Sequence, residues 1–170
     1  MEARFLTGKG IGRYGSAQLP DATINPSTGS LTPLPGYHGM ADLIFRPTPE
    51  WTLFVYGGIE HVDARYYDAA GSSGVTYSYG YGNPLFNNSG CETEGSPSCA
   101  ANPSSIKSIM GGFWWKFYHG PVGNMQLGLT DNYVRREIHP GVGTAPRTSF
   151  APDTNINILL LSFRYYPYQK

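Results

Sequence analysis

The residues best equipped for chemistry in this 170-residue chain are four histidines, a Glu60-His61-Val62-Asp63 stretch and two cysteines. Catalysis by a nucleophile with its base, or by paired carboxylates, requires those groups to converge on one pocket. His38, His61, His119 and His139 are scattered, His119 in a Gly-Pro turn context and His139 directly before Pro140. Glu60 is adjacent to His61 and three residues from Asp63, so on a strand each pair points to opposite faces. The spacing predicts no catalytic site, and the chain is read as a non-enzyme. It contains no His-x-His and no Cys-x-x-Cys, so neither a metal nor a cofactor is expected. Gly10-Ile11-Gly12-Arg13-Tyr14-Gly15 matches the dinucleotide pattern letter for letter. That pattern works only between a strand and a helix whose N-terminus faces the pyrophosphate. Ser-Ala-Gln-Leu-Pro-Asp follows instead, and the stretch is read as a Gly-rich strand end.

Cys91 and Cys99 lie in Cys-Glu-Thr-Glu-Gly-Ser-Pro-Ser-Cys. Three or four ligands make a metal site, and no histidine is near. The context predicts a local disulfide closing an exposed polar loop, hence an oxidising compartment. The start, Met-Glu-Ala-Arg-Phe, has no basic segment followed by an apolar one, the mark of an export signal. The two observations together predict that the natural N-terminus lies upstream.

Composition narrows the class. Charged residues are 14%, against about 25% in an ordinary globular domain, while Gly (22), Pro (14) and Tyr (13) are abundant. The net charge is zero, without the basic stripe that nucleic-acid binding needs. Mean hydropathy is negative and no run of about 18 apolar residues exists, which excludes a bundle of membrane helices.

Strands must therefore position whatever the chain presents. No useful 3.6-residue stripe occurs, and period-two alternation predicts six long strands: 3–14, 36–46, 51–67, 106–118, 124–138 and 155–166. The last is the most distinctive. Leu159, Leu161, Phe163 and Tyr165 fall on one face, and Ile158, Leu160, Ser162, Arg164 and Tyr166 on the other. A pattern about ten residues long suits a strand crossing a bilayer. In 124–138, Met125, Leu127, Leu129 and Tyr133 oppose Gln126, Thr130, Asn132 and Arg136, with Asp131 alone on the apolar side. In 51–67, Trp51 at one end and Tyr66 and Tyr67 at the other read as aromatic girdles. The connections run long, short, long, short, long, as short periplasmic turns and long external loops do.

This pattern resembles bacterial outer-membrane β-barrel proteins of the porin type, whose last strand alternates hydrophobic residues and ends in an aromatic. Leu159, Leu161, Phe163, Tyr165 and Tyr166-Pro167-Tyr168 carry the likeness. It implies an all-β, antiparallel up-and-down meander within a transmembrane β-barrel of the outer membrane. It also implies a lipid bilayer as partner and passive diffusion of small polar solutes. Residues 1–170 form a single segment of about six strands, too few for a barrel that starts at eight. The segment is expected to be the C-terminal portion of a longer barrel, or to close as a homo-oligomer, with its first and last strands at open edges. Candidate lumen-lining residues are Asp42, Arg46, Glu60, Lys116, Gln126, Asn132, Arg136 and Arg164. Two other readings stand beside this one. The first is a structural barrel without an open pore. The second is a secreted β-sandwich that binds glycans through Trp114, Trp115, Tyr77, Tyr79 and Tyr81.

Overall fold

The computed structural model describes residues 1–70, 74, 76–93, 95–143 and 149–168. Its strands are β1 (Glu2–Lys9), β2 (Ala22–Ile24), β3 (Leu31–Pro33), β4 (Pro35–Phe45), β5 (Trp51–Val62), β6 (Arg65–Ala70), β7 (Thr76–Tyr81), β8 (Pro103–Gly120), β9 (Gly123–Ile138) and β10 (Asp153–Pro167). One 3-10 turn, Gly12–Tyr14, is the sole helical element among the described residues. Six strands form one sheet in the order β1-β4-β5-β8-β9-β10, each antiparallel to its neighbours. The meander is all-β, as the alternation predicts. The sheet is not closed: β1 and β10 are its two edges. Hairpins β2–β3 and β6–β7 stand apart as two-stranded sheets.

Three predicted boundaries are corrected. The first strand stops at Lys9 rather than Tyr14. Gly10 there takes φ 71°, a left-handed conformation that breaks the extended chain, and its N–H turns to the Leu34 carbonyl at 2.8 Å. The predicted strand 51–67 is two strands. Asp63 N–H donates to the Pro35 carbonyl at 2.8 Å where β4 begins, which ends the ladder and releases the chain into β6. Tyr66 and Tyr67 therefore lie on β6, outside the six-stranded sheet, and are no girdle of it. Arg46 lies one residue past the end of β4.

The sheet buries little. The buried apolar side chains are Leu19, Leu34, Phe54, Val62 and Tyr81, and all but Phe54 cluster where the long connections leave the sheet. Elsewhere large apolar groups stand open: Leu161 is 73% exposed, Leu159 68% and Phe163 61%. A water-soluble sheet covers at least one face with another layer. Among the described residues no second sheet packs on this one.

Two glycines receive aromatic rings instead of carrying side chains. A Cβ on Gly112 would sit 2.8 Å from the Phe54 ring and 2.4 Å from the Leu129 carbonyl oxygen; one on Gly128 would sit 2.7 Å from the Trp114 indole. Gly112→Ala should thus displace backbone as well as ring. A loss of about 1–3 kcal/mol, the usual cost of overpacking, is expected as a lower denaturant midpoint in detergent. An unchanged midpoint would contradict the close approach.

Candidate functional site

Residues paired across an antiparallel ladder share a face, so the register divides every side chain between two surfaces. One surface carries successive rows: Trp51, Trp115, Leu127, Phe163; then Leu53, Phe113, Leu129, Leu161; then Leu43, Val55, Gly111, Asp131, Leu159; then Ala41, Gly57, Ile109, Tyr133, Asn157. At the end near the short turns it is aromatic. Trp51 stacks on Trp115 at 5.8 Å and meets Phe113 at 5.3 Å, and Phe117 touches both Trp115 and Phe163. At the other end it becomes ionic. Lys107 pairs with Glu137 at 2.7 Å, and Arg135 with Glu137 at 3.4 Å and Asp153 at 3.0 Å. From Trp115 to Lys107 is eight steps of about 3.3 Å, roughly 26 Å along the strand and roughly 20 Å along the normal of a tilted sheet. Asp131 is the only carboxylate or cationic group between these limits on this surface of the three strands β8, β9 and β10. This surface is the bare face: Leu43, Val55, Ile109, Leu159 and Leu161 on it are exposed.

The opposite surface is covered at one end by loops. Glu60 on β5 accepts hydrogen bonds from the backbone N–H of Ser16 (2.6 Å) and Ala17 (3.0 Å). That clamp draws residues 10–34 inward, so Leu19 meets Leu34, Val62 and Tyr81, with Ala17 and Ile106 against them. Arg13 fastens the same loop to Asp21: its N–H donates at 2.8 Å and its guanidinium pairs with the carboxylate. The Arg13 N–H, more than the guanidinium, holds the Asp21 carboxyl below the usual carboxylate range. Further along, Cys91 and Cys99 are joined in a disulfide. Their loop overhangs β8–β10, leaving a cleft of about 670 Å³ whose floor includes Ile106, Val134, Arg136 and Ile156.

The predicted lining residues can now be placed. Arg164, Gln126 and Lys116 form one cross-strand row on the covered face. Asp42 and Asn132 lie in a second row, linked through Tyr56 and Met110. Glu60 and Arg136 lie in a third, joined through Ile106. Seven of the eight thus share one face; Arg46, beyond the strand, has no register position. The carboxylate of Glu60 is spent on the loop clamp. Trp114, also on this face, lies on Gly128 and carries the Arg164 guanidinium 3.7 Å above its ring. Sequence spacing missed that stack. Its one visible signal is a glycine on the polar side of the cleanest amphipathic strand.

The proposed glycan platform does not assemble. Trp114 and Trp115 point to opposite faces, Tyr81 is buried, and Tyr77 and Tyr79 belong to the separate β6–β7 hairpin. Glu60, His61 and Asp63 do not converge: His61 meets Asp63 at 3.1 Å, with Glu60 on the other face. Among the described residues no group of three His, Cys, Asp or Glu is placed to hold a metal.

No protein-family model, curated protein or solved structure matches this chain. Its function rests on the two faces.

His139 ties the loop layer together. Its ring meets Tyr81 edge-on at 5.7 Å, lies against Gly82, and has Nε2 3.1 Å from the Val62 carbonyl. Burial pulls its pKa below the ordinary 6.5, opposed by the Val62 carbonyl; His61 pushes it down and Asp63 up. Above 6.5 the ring is neutral folded or unfolded, and the packing is at full strength. As pH falls through 6.5 toward the lower folded value, only the unfolded form takes up a proton, so stability is lost. Amide protection in residues 82–93 and 139–143 should therefore drop between about pH 7 and about pH 5.5. In His139→Gln that drop should vanish; a drop of equal size there would refute the assignment.

Proposed function

We propose that this sheet is part of the wall of an outer-membrane β-barrel whose bare face meets lipid and whose covered face lines a passage for small polar solutes. The observation that carries the reading is the layering of the bare face. An aromatic belt, an apolar band and an ion-pair network follow one another over roughly 20 Å, close to the ~25 Å band of such barrels. In water so much exposed apolar surface would drive association; in a bilayer it is the solvated face. With the bare face toward lipid, Asp42, Lys116, Gln126, Asn132, Arg136 and Arg164 on the covered face would stand away from it. Unpaired backbone at the β1 and β10 edges cannot remain in hydrocarbon, where each orphan group costs several kcal/mol. Closure therefore takes further strands or further copies of the chain. The long connections then lie on the external side, with the disulfide among them.

A wall without an open pore is the second reading. It is favoured by the Phe54 and Trp114 rings seated at Gly112 and Gly128 on the covered face and by loops folded over its external end.

Facing is tested by a pair of substitutions. Leu161→Arg on the bare face should lower stability in phosphatidylcholine vesicles by about 2–4 kcal/mol. Leu160→Arg, one residue away on the covered face, should cost far less. Equal losses would sink the assignment of faces. Ion conductance by the wild-type protein in a planar bilayer separates the two readings: steps of current support a passage, and a silent inserted protein supports the closed wall.

A further inference from the structure

We propose that Arg164, Gln126 and Lys116 form a binding row for oxyanions, the carboxylates or phosphates of soluble solutes, at the end of the covered face near the short turns. The proposal rests on reading that face as a solute passage. Arg164 pairs across the ladder with Gln126, and Gln126 with Lys116. Directly opposed residues have Cβ atoms about 5 Å apart, so a guanidinium, an amide and an ammonium reach one common patch.

The row is held in place from below. Gly128 leaves room for the Trp114 indole, and Arg164 lies 3.7 Å over that indole. A guanidinium stacked by its face keeps its in-plane N–H donors free, and their fork matches a carboxylate or phosphate. Among the described residues neither Arg164 nor Lys116 makes an ion pair with a carboxylate. The acid that Lys116 influences is Glu50 in the preceding turn, whose carboxylate is held chiefly by the Thr48 side chain and its own N–H.

The surrounding wall has the same sign. On the covered face of β8, β9 and β10 the charged residues are Lys116, Arg136 and Arg164, with no Asp or Glu. Between them lie Ser108, Thr130, Asn132 and Ser162, interspersed with Met110, Val134, Ile158 and Leu160. Carboxylates on this face stand on the other three strands, where Glu2 pairs with Arg4 and Glu60 is clamped. Only Asp42 there lacks such an engagement. An oxyanion moving along the β8–β10 side meets three cations and no carboxylate, and ends at the row of two cations and an amide.

The test is titration calorimetry with inorganic phosphate on the protein in nanodiscs of neutral phosphatidylcholine. Saturable binding is expected. Arg164→Gln and Lys116→Gln should each weaken it by about tenfold or more, the worth of one charge-assisted hydrogen bond. Arg164→Lys should fall between, since it keeps the charge and loses the fork. Lys107→Gln on the bare face should leave binding unchanged. Retained gel mobility without heating shows that the variants are folded. Absence of binding, binding that ignores both substitutions in folded variants, or binding only with anionic lipid would overturn the proposal. Conductance is read separately. A silent protein that binds phosphate through Arg164 keeps the row and loses the passage.

Discussion

The register of β9 against its two neighbours is the constraint on which everything else depends. Because side chains alternate with period two, a slip of one residue would exchange the two faces entirely. Leu127, Leu129 and Met125 would leave the bare face, and Gln126, Thr130, Asn132 and Arg136 would take their places. The register is pinned from both sides. On one side Leu129 opposes Leu161 and Leu127 opposes Phe163; on the other Leu129 opposes Phe113. The ring-on-glycine contact between β8 and β9 adds a steric key. The Trp114 indole fits where Gly128 stands, and one step away on β9 it would meet Leu127 or Leu129. The ladder absorbs its irregularities at its ends, with shifts between Pro103 and Ser105 and between Lys116 and Tyr118.

Burial in this molecule is concentrated where loops meet sheet. Leu19, Leu34, Val62 and Tyr81 pack around the Glu60 clamp, and His139 extends that packing to the second and third long connections. Asn88 joins the same layer, donating its amide to the His139 and Phe150 carbonyls. Among the described residues the rows of the bare face have no comparable cluster. Where the bare face meets lipid as proposed, the loop-bearing end is held by protein contacts and the middle of the sheet by that solvent.

Much of the meander was legible in the chain. Long alternating runs such as 124–138 and 155–166 reveal their strands because the two faces differ in polarity, and the contrast is written every second residue. The alternation of connection lengths was equally plain. The face shared by Asp42, Glu60, Lys116, Gln126, Asn132, Arg136 and Arg164 follows from that same parity once the register is known. What escaped was long-range. Nothing local to Val62 marks the end of a strand; the Pro35 carbonyl does so from across the sheet. Nothing near Glu60 shows that Ser16 and Ala17 will take its carboxylate. The Trp114–Arg164 stack joins strands β8 and β10, which are not neighbours, over a glycine of the strand between them.

That last arrangement ties distant positions into one heritable unit. With glycine at 128, position 114 can hold an indole; with a side chain at 128, the indole must go, and the arginine at 164 loses its support. Positions 54 and 112 are tied in the same way. Among divergent sequences of this kind, substitutions at these sites would be fixed together or compensated quickly. The trio 114, 128 and 164 would then drift as a block while the exposed leucines of the bare face exchange freely for one another.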